Sequence, residues 1–324
     1  VLGGLARRVN FIQKMRNEGK PLVVVDSGDL FFRFATSSNP TPSQMQRARL
    51  IADGYLRMKV AAINVGQRDL SAGLSFLKEQ VRRGLPLISA NILNAQDRSL
   101  IFKPYLVHRV DGVRVGFIGV VAPELPRVLH ERLNGKVEIG NPLEAASRII
   151  KDHGREADIW ILLSNAGMGW ERRIARAGLG IPFILGSMEG RYISYPIRER
   201  GSHILQSYKK GMYVGVLTLK IQDFSSSFAD EDREERLEKR LKNLDRRLRA
   251  LQNAQRKKPS AVIKRAIVRL KAEQKAVEEE LSKGSGSPAG ANLFKWKLIP
   301  LRSSMPEDQV VLGWIRKAGL KKQD

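Results

Sequence analysis

Two rhythms of apolar and polar residues run along the first two thirds of this chain. Short apolar, β-branched runs bounded by Gly, Pro, Asp or Ser predict strands covered on both faces: "PLVVV" at 21–25, "VAAINVG" at 60–66, "PLISANIL" at 86–93, "ADIWILLSNAG" at 157–167 and "IPFILG" at 181–186. "YLVHRVDGVRVGFIGVVAP" (105–123) predicts two strands joined by a turn at Asp111-Gly112, and further strand-like sequence follows in 203–222. Between them, apolar residues at helical spacing predict helices over 6–18, 44–58 and 71–84, and over 141–156, where Asn141-Pro142 supplies an N-cap followed by proline. The alternation predicts an α/β domain over 1–228, with helices packed on sheets. Ligand sites in such domains lie beyond the strand ends. Four polar clusters fall there: Asp26-Ser27-Gly28-Asp29, Gly66-Gln67-Arg68-Asp69, Ser164-Asn165-Ala166-Gly167 and Gly186-Ser187-Met188-Glu189.

The rhythm changes near residue 229. Leu237, Leu241, Leu244, Leu248 and Leu251, then Ile263, Ile267, Leu270, Gln274, Val277 and Leu281, recur at spacings of four and three, with Pro259-Ser260 between the two sets. Residues 229–283 are therefore expected to form an antiparallel helical hairpin with coiled-coil-like seams, each arm about 30 Å long at 1.5 Å per residue. "GSGSPAGAN" (284–292) reads as a flexible linker. Residues 293–324 then offer a strand and a short helix that return to the α/β domain.

Charge sharpens this picture. The formal net charge is +24. Between Lys239 and Lys271 there are 13 Lys or Arg and a single acid, Asp245, a net +12 and half of the whole. Arg246, Arg247, Arg249, Arg256, Lys257, Lys258, Lys264 and Arg265 make the middle of the hairpin a basic prong suited to an acidic protein or another polyanion. The same pattern would also serve as a solvated face that keeps an exposed hairpin soluble. No stacking aromatics interleave with the basic residues of the chain, which disfavours nucleic acid as a partner. No cysteine is present, so thiolate metal sites, disulfides and cysteine nucleophiles are excluded within the span. The four histidines are scattered without metal-ligand spacing. His203 is expected at a strand edge, and Glu189 is an acid without an obvious partner. Trp160 and Trp170 read as packing residues.

The order of the motifs "GGLARR", "DSGDLFF", "INVGQRDLSAG", "LISANIL", "VGFIGVVAP", "ADIWILLSNAG", "FILGSMEG" and "GMYVGVLTL" resembles the calcineurin-like metallophosphoesterases, in particular their 5'-nucleotidase (UshA-like) branch. The likeness covers about residues 1–222. It implies a two-sheet sandwich flanked by helices, interrupted here by the helical hairpin, with a two-metal site at the strand ends. It also implies export from the cytoplasm.

In that family a Gly-Asp motif supplies the carboxylate that bridges both metals, and here it matches Gly28-Asp29. An upstream Asp-x-His would precede Gly3. The family's Gly-Asn-His-Glu corresponds to Gly66-Gln67-Arg68-Asp69, its Ser-His to Ser164-Asn165, and the two histidines of its Gly-His-x-His to Met188 and Gly190. Glycine offers no side-chain donor, methionine is a soft thioether, and arginine is a fixed cation that cannot ligate. Two divalent ions close together repel and need several anionic or imidazole ligands. No residue is therefore assigned as catalytic, no cofactor is expected, and Asp29 is the one vestigial ligand. Arg68 is expected to pair with Asp29, Asp26 or Asp69 in place of the ions. The resulting expectation is a catalytically degenerate phosphoesterase that binds or assembles through its hairpin. The alternatives are an active nucleotide phosphohydrolase, which would require the divalent metal pair, and a protein that binds polyanions by charge alone.

Overall fold

The computed structural model describes residues 3–282 and 290–320, so most of the expected linker at 284–292 lies outside the described residues. The chain divides into two compact units. The first comprises residues 1–216 and 297–324, and the second runs from Leu217 to Trp296.

The first unit is a mixed α/β body. Its larger sheet has six strands: β5 (Tyr105–Val110), β6 (Val113–Val121), β8 (Ile159–Asn165), β9 (Phe183–Gly186), β10 (Ile197–Glu199) and β11 (Ser202–Gln206). Their order is β10-β11-β9-β8-β6-β5, with a parallel centre and antiparallel edges. Every residue of β8 is buried, as its unbroken apolar run requires. The turn between β5 and β6 places both Asp111 and Gly112 at positive φ, 49° and 78°, which a two-residue hairpin turn of type I′ demands.

A smaller parallel sheet has the order β1-β2-β3, from Val25–Asp26, Ala62–Asn64 and Leu87–Ile88. The apolar run at 21–25 is thus only partly strand: Leu22 to Val24 lie outside the ladder, although the Val24 carbonyl still accepts the Ala61 N–H. "PLISANIL" also divides. β3 joins the small sheet, whereas β4 (Ile92–Asn94) pairs antiparallel with β7 (Val137–Ile139), because Ser89 and Ala90 turn away to bond Lys103 and Gly119. The two larger sheets meet where Asn64 of β2 donates to the Val120 carbonyl of β6 at 2.8 Å.

Helices cover both sides. α1 (Leu5–Asn17), α2 (Pro42–Arg57), α3 (Leu74–Arg82) and α4 (Arg127–Leu133) close a core on the small-sheet side that includes Phe31, Tyr55, Phe76 and Leu77. α5 (Pro142–His153) and α6 (Met168–Ala177) cover the large sheet over Ile118, Trp160, Leu162 and Ile184. α2 begins with a full capping box between Thr41 and Gln44.

The second unit holds α7 (Arg233–Lys257), α8 (Ala261–Ser282) and β13 (Phe228–Asp230); β13 is the last strand of a three-stranded sheet of order β12-β14-β13, whose β12 (Tyr213–Lys220) and β14 (Asn292–Pro300) run across the boundary of that unit. Leu237, Leu244, Leu270 and Val277 are buried between the helices. The cross-links Arg233–Glu280, Arg240–Glu273 and Asp245–Gln274 run in opposite chain directions, so the helices are antiparallel. Arg236 fastens the root of α7 by donating to Asp230 at 3.2 Å and to the Trp296 carbonyl at 2.6 Å. The terminal helix α9 (Gln309–Lys317) belongs to the first unit, where Asp308 caps it and pairs with Arg57 at 2.9 Å.

Candidate functional site

Four loops leave the C-terminal ends of β1, β2, β8 and β9 and converge. Two of them cross with no room between. A Cβ on Gly66 would lie 2.3 Å from the Asp29 nitrogen, and one on Gly28 would lie 2.9 Å from the Gly66 nitrogen. Asp29 itself sits at φ 61°, the left-handed region that Asp tolerates better than most residues. Asp69 ties the crossing together. Buried to 1% exposure, it accepts the N–H groups of Asp29 (3.0 Å), Gly66 (2.9 Å) and Phe31 (2.8 Å). Burial and the neighbouring Asp29 charge push its carboxyl up to about 8, against N–H donors that favour the ionised form.

Arg68 meets Asp29. Its Nε and one terminal nitrogen hold Asp29 Oδ2 at 2.8 and 2.7 Å, while the Arg68 backbone N–H donates to Oδ1 at 2.8 Å. Of the three carboxylates expected as partners, Asp29 takes the guanidinium. Asp26 instead accepts the Tyr55 hydroxyl at 2.6 Å, and Arg8 donates to that hydroxyl in turn. Asn165 adds a third side-chain contact, donating from Nδ2 to Asp29 Oδ2 at 2.9 Å. Its own Oδ1 accepts the Gln67 N–H. The Gln67 side chain turns away and donates to the carbonyls of Ala122 and Glu124.

The residues present do not suit a pair of divalent ions. Asp29 is committed to Arg68 and Asn165, the amide oxygen of Asn165 is occupied, and Gln67 faces elsewhere. Met188 lies against Gly167, and Gly190 turns at φ 56° where a Cβ would come within 2.8 Å of Lys209 Cβ. Among the described residues no three His, Cys, Asp or Glu side chains are grouped to hold a metal.

The structure gives partners to Ser187, already placed in a polar cluster, and adds Asn64, Glu171 and Gln206, which the sequence did not single out. Ser187 donates to the Ser27 carbonyl at 2.8 Å and accepts from Asn165. Asn64 bonds the same Ser27 carbonyl and stitches β2 to β6. Beneath the mouth, Glu171 of α6 is wholly buried, and Gln206 donates to it at 3.2 Å. Burial raises its carboxyl to about 7. Gln206 also reaches Glu189, whose other oxygen accepts the Met168 N–H at 2.8 Å, so Glu189 has partners after all. His203 is likewise corrected. It lies within β11 between two strands, 4% exposed and stacked on Phe183, because β10 takes the edge. Trp160 packs as expected, lying over Gly116, where any Cβ would strike its ring. Glu171 and Gln206 carry no local sequence signal, and α6, which buries Glu171, is not among the elements that the apolar pattern predicts.

The eight basic residues singled out on the hairpin are all exposed: Arg246, Arg247, Arg249, Arg256 and Lys257 on α7, Lys258 at its end, and Lys264 and Arg265 on α8. Among the described residues none of the eight makes an ion pair, whereas the acids near the open end of the hairpin are paired by Arg233, Lys239 and Arg240.

Known proteins resemble this arrangement. Over 184 residues the chain is 27% identical to the 2',3'-cyclic-nucleotide 2'-phosphodiesterase/3'-nucleotidase of Salmonella typhimurium, a match that covers 51% of this chain and 28% of that protein. The solved calcineurin-like phosphoesterase YfkN from Bacillus subtilis superposes with a TM-score of 0.64 at 16% identity, over 98% of this chain and 88% of that one. The fold is that of the calcineurin-like phosphoesterases. The same phosphoesterase fold superposes with a TM-score of 0.66 and 15% identity on the sulfate thiohydrolase SoxB of Thermus thermophilus, over 98% of this chain and 46% of that one. Solved proteins of this shape therefore carry different chemistries, and function must be read from the site. No protein-family model matches the chain. The chain spans little more than a quarter of the length of the Salmonella relative.

Proposed function

We propose that this protein is a phosphoesterase-fold module that no longer hydrolyses phosphoesters and acts by binding. The observation that carries this reading is the grip of Arg68 on Asp29 at 2.7 and 2.8 Å. A guanidinium is a permanent cation. Placed on the carboxylate that the resemblance assigns to bridging two metals, it supplies fixed positive charge without an exchangeable coordination site. The eight exposed cations in the middle of the hairpin, which make no ion pair among the described residues, support docking to an acidic protein or another polyanion as the retained activity. We place the protein outside the cytoplasm on the strength of the same resemblance. Among the described residues no helix is long and apolar enough to cross a membrane.

The second reading is a metal-dependent nucleotide phosphohydrolase, favoured by the nucleotidase activity in the name of the sequence relative. In that case Asp29 would have to exchange Arg68 for metal. Metal analysis of the purified protein, with turnover of p-nitrophenyl phosphate and nucleoside monophosphates under Mn²⁺ or Mg²⁺, separates the two. The binding module gives substoichiometric metal and no metal-dependent turnover. Metal-dependent turnover that Asp29→Asn abolishes would install the enzyme instead.

A further inference from the structure

The charge of the hairpin changes sign along its length. Residues 239–271, on either side of the turn between α7 and α8, carry a net +12. Residues 230–238 and 272–281, at the open end, hold ten acids and three bases, a net −7. The two flanks of the hairpin differ as well. One is crossed by the bridges Arg233–Glu280 and Arg240–Glu273, at 3.5 and 2.8 Å. The other is crossed by the bond from Gln274 to Asp245. On α7, Glu234, Glu238, Lys242, Arg249 and Arg256 recur at spacings of four, four, seven and seven and so form one stripe, with Asp245 between Lys242 and Arg249. On α8, Lys264, Val268, Lys271 and Glu278 recur at four, three and seven, with Gln274 between Lys271 and Glu278. The Asp245–Gln274 bond therefore puts both stripes on the same flank.

Every residue of the two stripes is exposed, and none of their charged members makes an ion pair among the described residues. This flank thus runs from free acids at the open end to free cations at the turn. Such a surface matches itself in reverse. Laid antiparallel, the Glu234–Glu238 end of one copy faces the Arg249–Arg256 end of the other, and two-fold symmetry makes the same contact twice. Laid parallel, like charges would face each other along the whole length. A uniform polyanion would be drawn to the turn and repelled by Glu234, Glu238 and Glu278. Val268 is 63% exposed. Lying five residues beyond Glu273, the partner of Arg240, it stands level with the middle of α7, where the two-fold axis would pass. The two copies would then bring their valines together. Each copy carries +24 overall, but charges more than about 8–10 Å apart are largely screened at physiological salt, so the facing flanks decide.

We infer that this flank of the hairpin docks antiparallel on the same flank of a second copy of the chain, giving a two-fold dimer of hairpins. The inference rests on the reading of the hairpin as a docking element and names its acidic partner: the open end of another hairpin.

The test is sedimentation equilibrium on the full chain, from micromolar to submillimolar concentration, with linear polyphosphate as a separate binding probe. A monomer–dimer equilibrium is expected at about 0.1 M NaCl, weakened about tenfold or more at about 1 M, where the Debye length falls to about 3 Å. One triple variant carries Glu234→Lys, Glu238→Lys and Glu278→Lys, and a second carries Arg249→Glu, Arg256→Glu and Lys264→Glu. All six positions are exposed, so folding should survive. Each variant alone should stay monomeric over the same range. An equimolar mixture of the two should dimerise again, because each supplies the charge that the other's flank now lacks. The inference is overturned if the parent is monomeric throughout, if either triple variant dimerises as the parent does, or if the mixture stays monomeric. A monomeric chain that binds polyphosphate would remove the dimer and leave the proposed docking function standing, whereas a chain that does neither would remove both.

Discussion

Arginine does opposite work in the two units of this protein. In the mouth of the phosphoesterase fold, Arg68 spends its charge on Asp29, a carboxylate with 6% side-chain exposure. On the hairpin, eight Arg and Lys side chains stand exposed without ion pairs among the described residues. The first arrangement fixes a structure and the second leaves a field for something else to meet. Burial decides between them: a cation near a desolvated acid is held by geometry and local hydrogen bonds, whereas exposed cations are screened within about 8–10 Å and act over that range only collectively.

The contrast breaks most violently at the crossing of the two glycine loops. Gly66→Ala would drive a Cβ into the Asp29 backbone, and a loss of about 4 kcal/mol or more is expected in urea unfolding. Next is pH. Glu171 has a folded value near 7, raised above its ordinary 4.5 by burial. Its contribution is therefore fully present below pH 4.5 and lost as pH rises through 7, about 3 kcal/mol in all. Asp69 acts in the same direction. Unfolding midpoints should fall between pH 5 and 8, and Glu171→Gln should flatten that slope. Arg68→Leu should cost about 2 kcal/mol, less than a fully buried pair because Arg68 is 35% exposed. Combined with Asp29→Asn it should cost less than the sum of the two single changes. At the small end, the fourfold reversal of Arg246, Arg247, Lys257 and Lys258 to Glu should move stability by about 0.5 kcal/mol or less per site, yet remove the salt-dependent polyanion binding proposed for the hairpin.

The sequence displayed these regions unequally. The two helices of the hairpin were legible, because their signal is one repeating period and their seam is internal to them, although the expected start at 229 falls in β13 and α7 begins at Arg233. β6 and β8 were legible because burial on both faces leaves an unbroken apolar run. The resemblance put Arg68 in one mouth with Asp29, Asp26 and Asp69 and left the choice among them open; the guanidinium lies on Asp29 because Asp26 is taken by Tyr55 and Asp69 by backbone N–H groups. Buried partners were not legible. Glu171 and Gln206 lie 35 residues apart on a helix and a strand, and no local pattern tells an acid that will be buried from one that will be solvated. His203 looked like an edge residue because the short β10 gave no signal of its own.

One contact in the hairpin reaches beyond stability. Gln274 donates to Asp245 across an otherwise apolar seam at 2.9 Å. Sliding one helix by a turn would face that amide with leucine and leave the acid unmatched. The two rods are thereby keyed in a single alignment, and α7, about 38 Å long at 1.5 Å per residue, becomes a ruler. Whatever docks at its tip meets positive charges at set intervals, so a partner would be selected by the spacing of its acids as well as by their number.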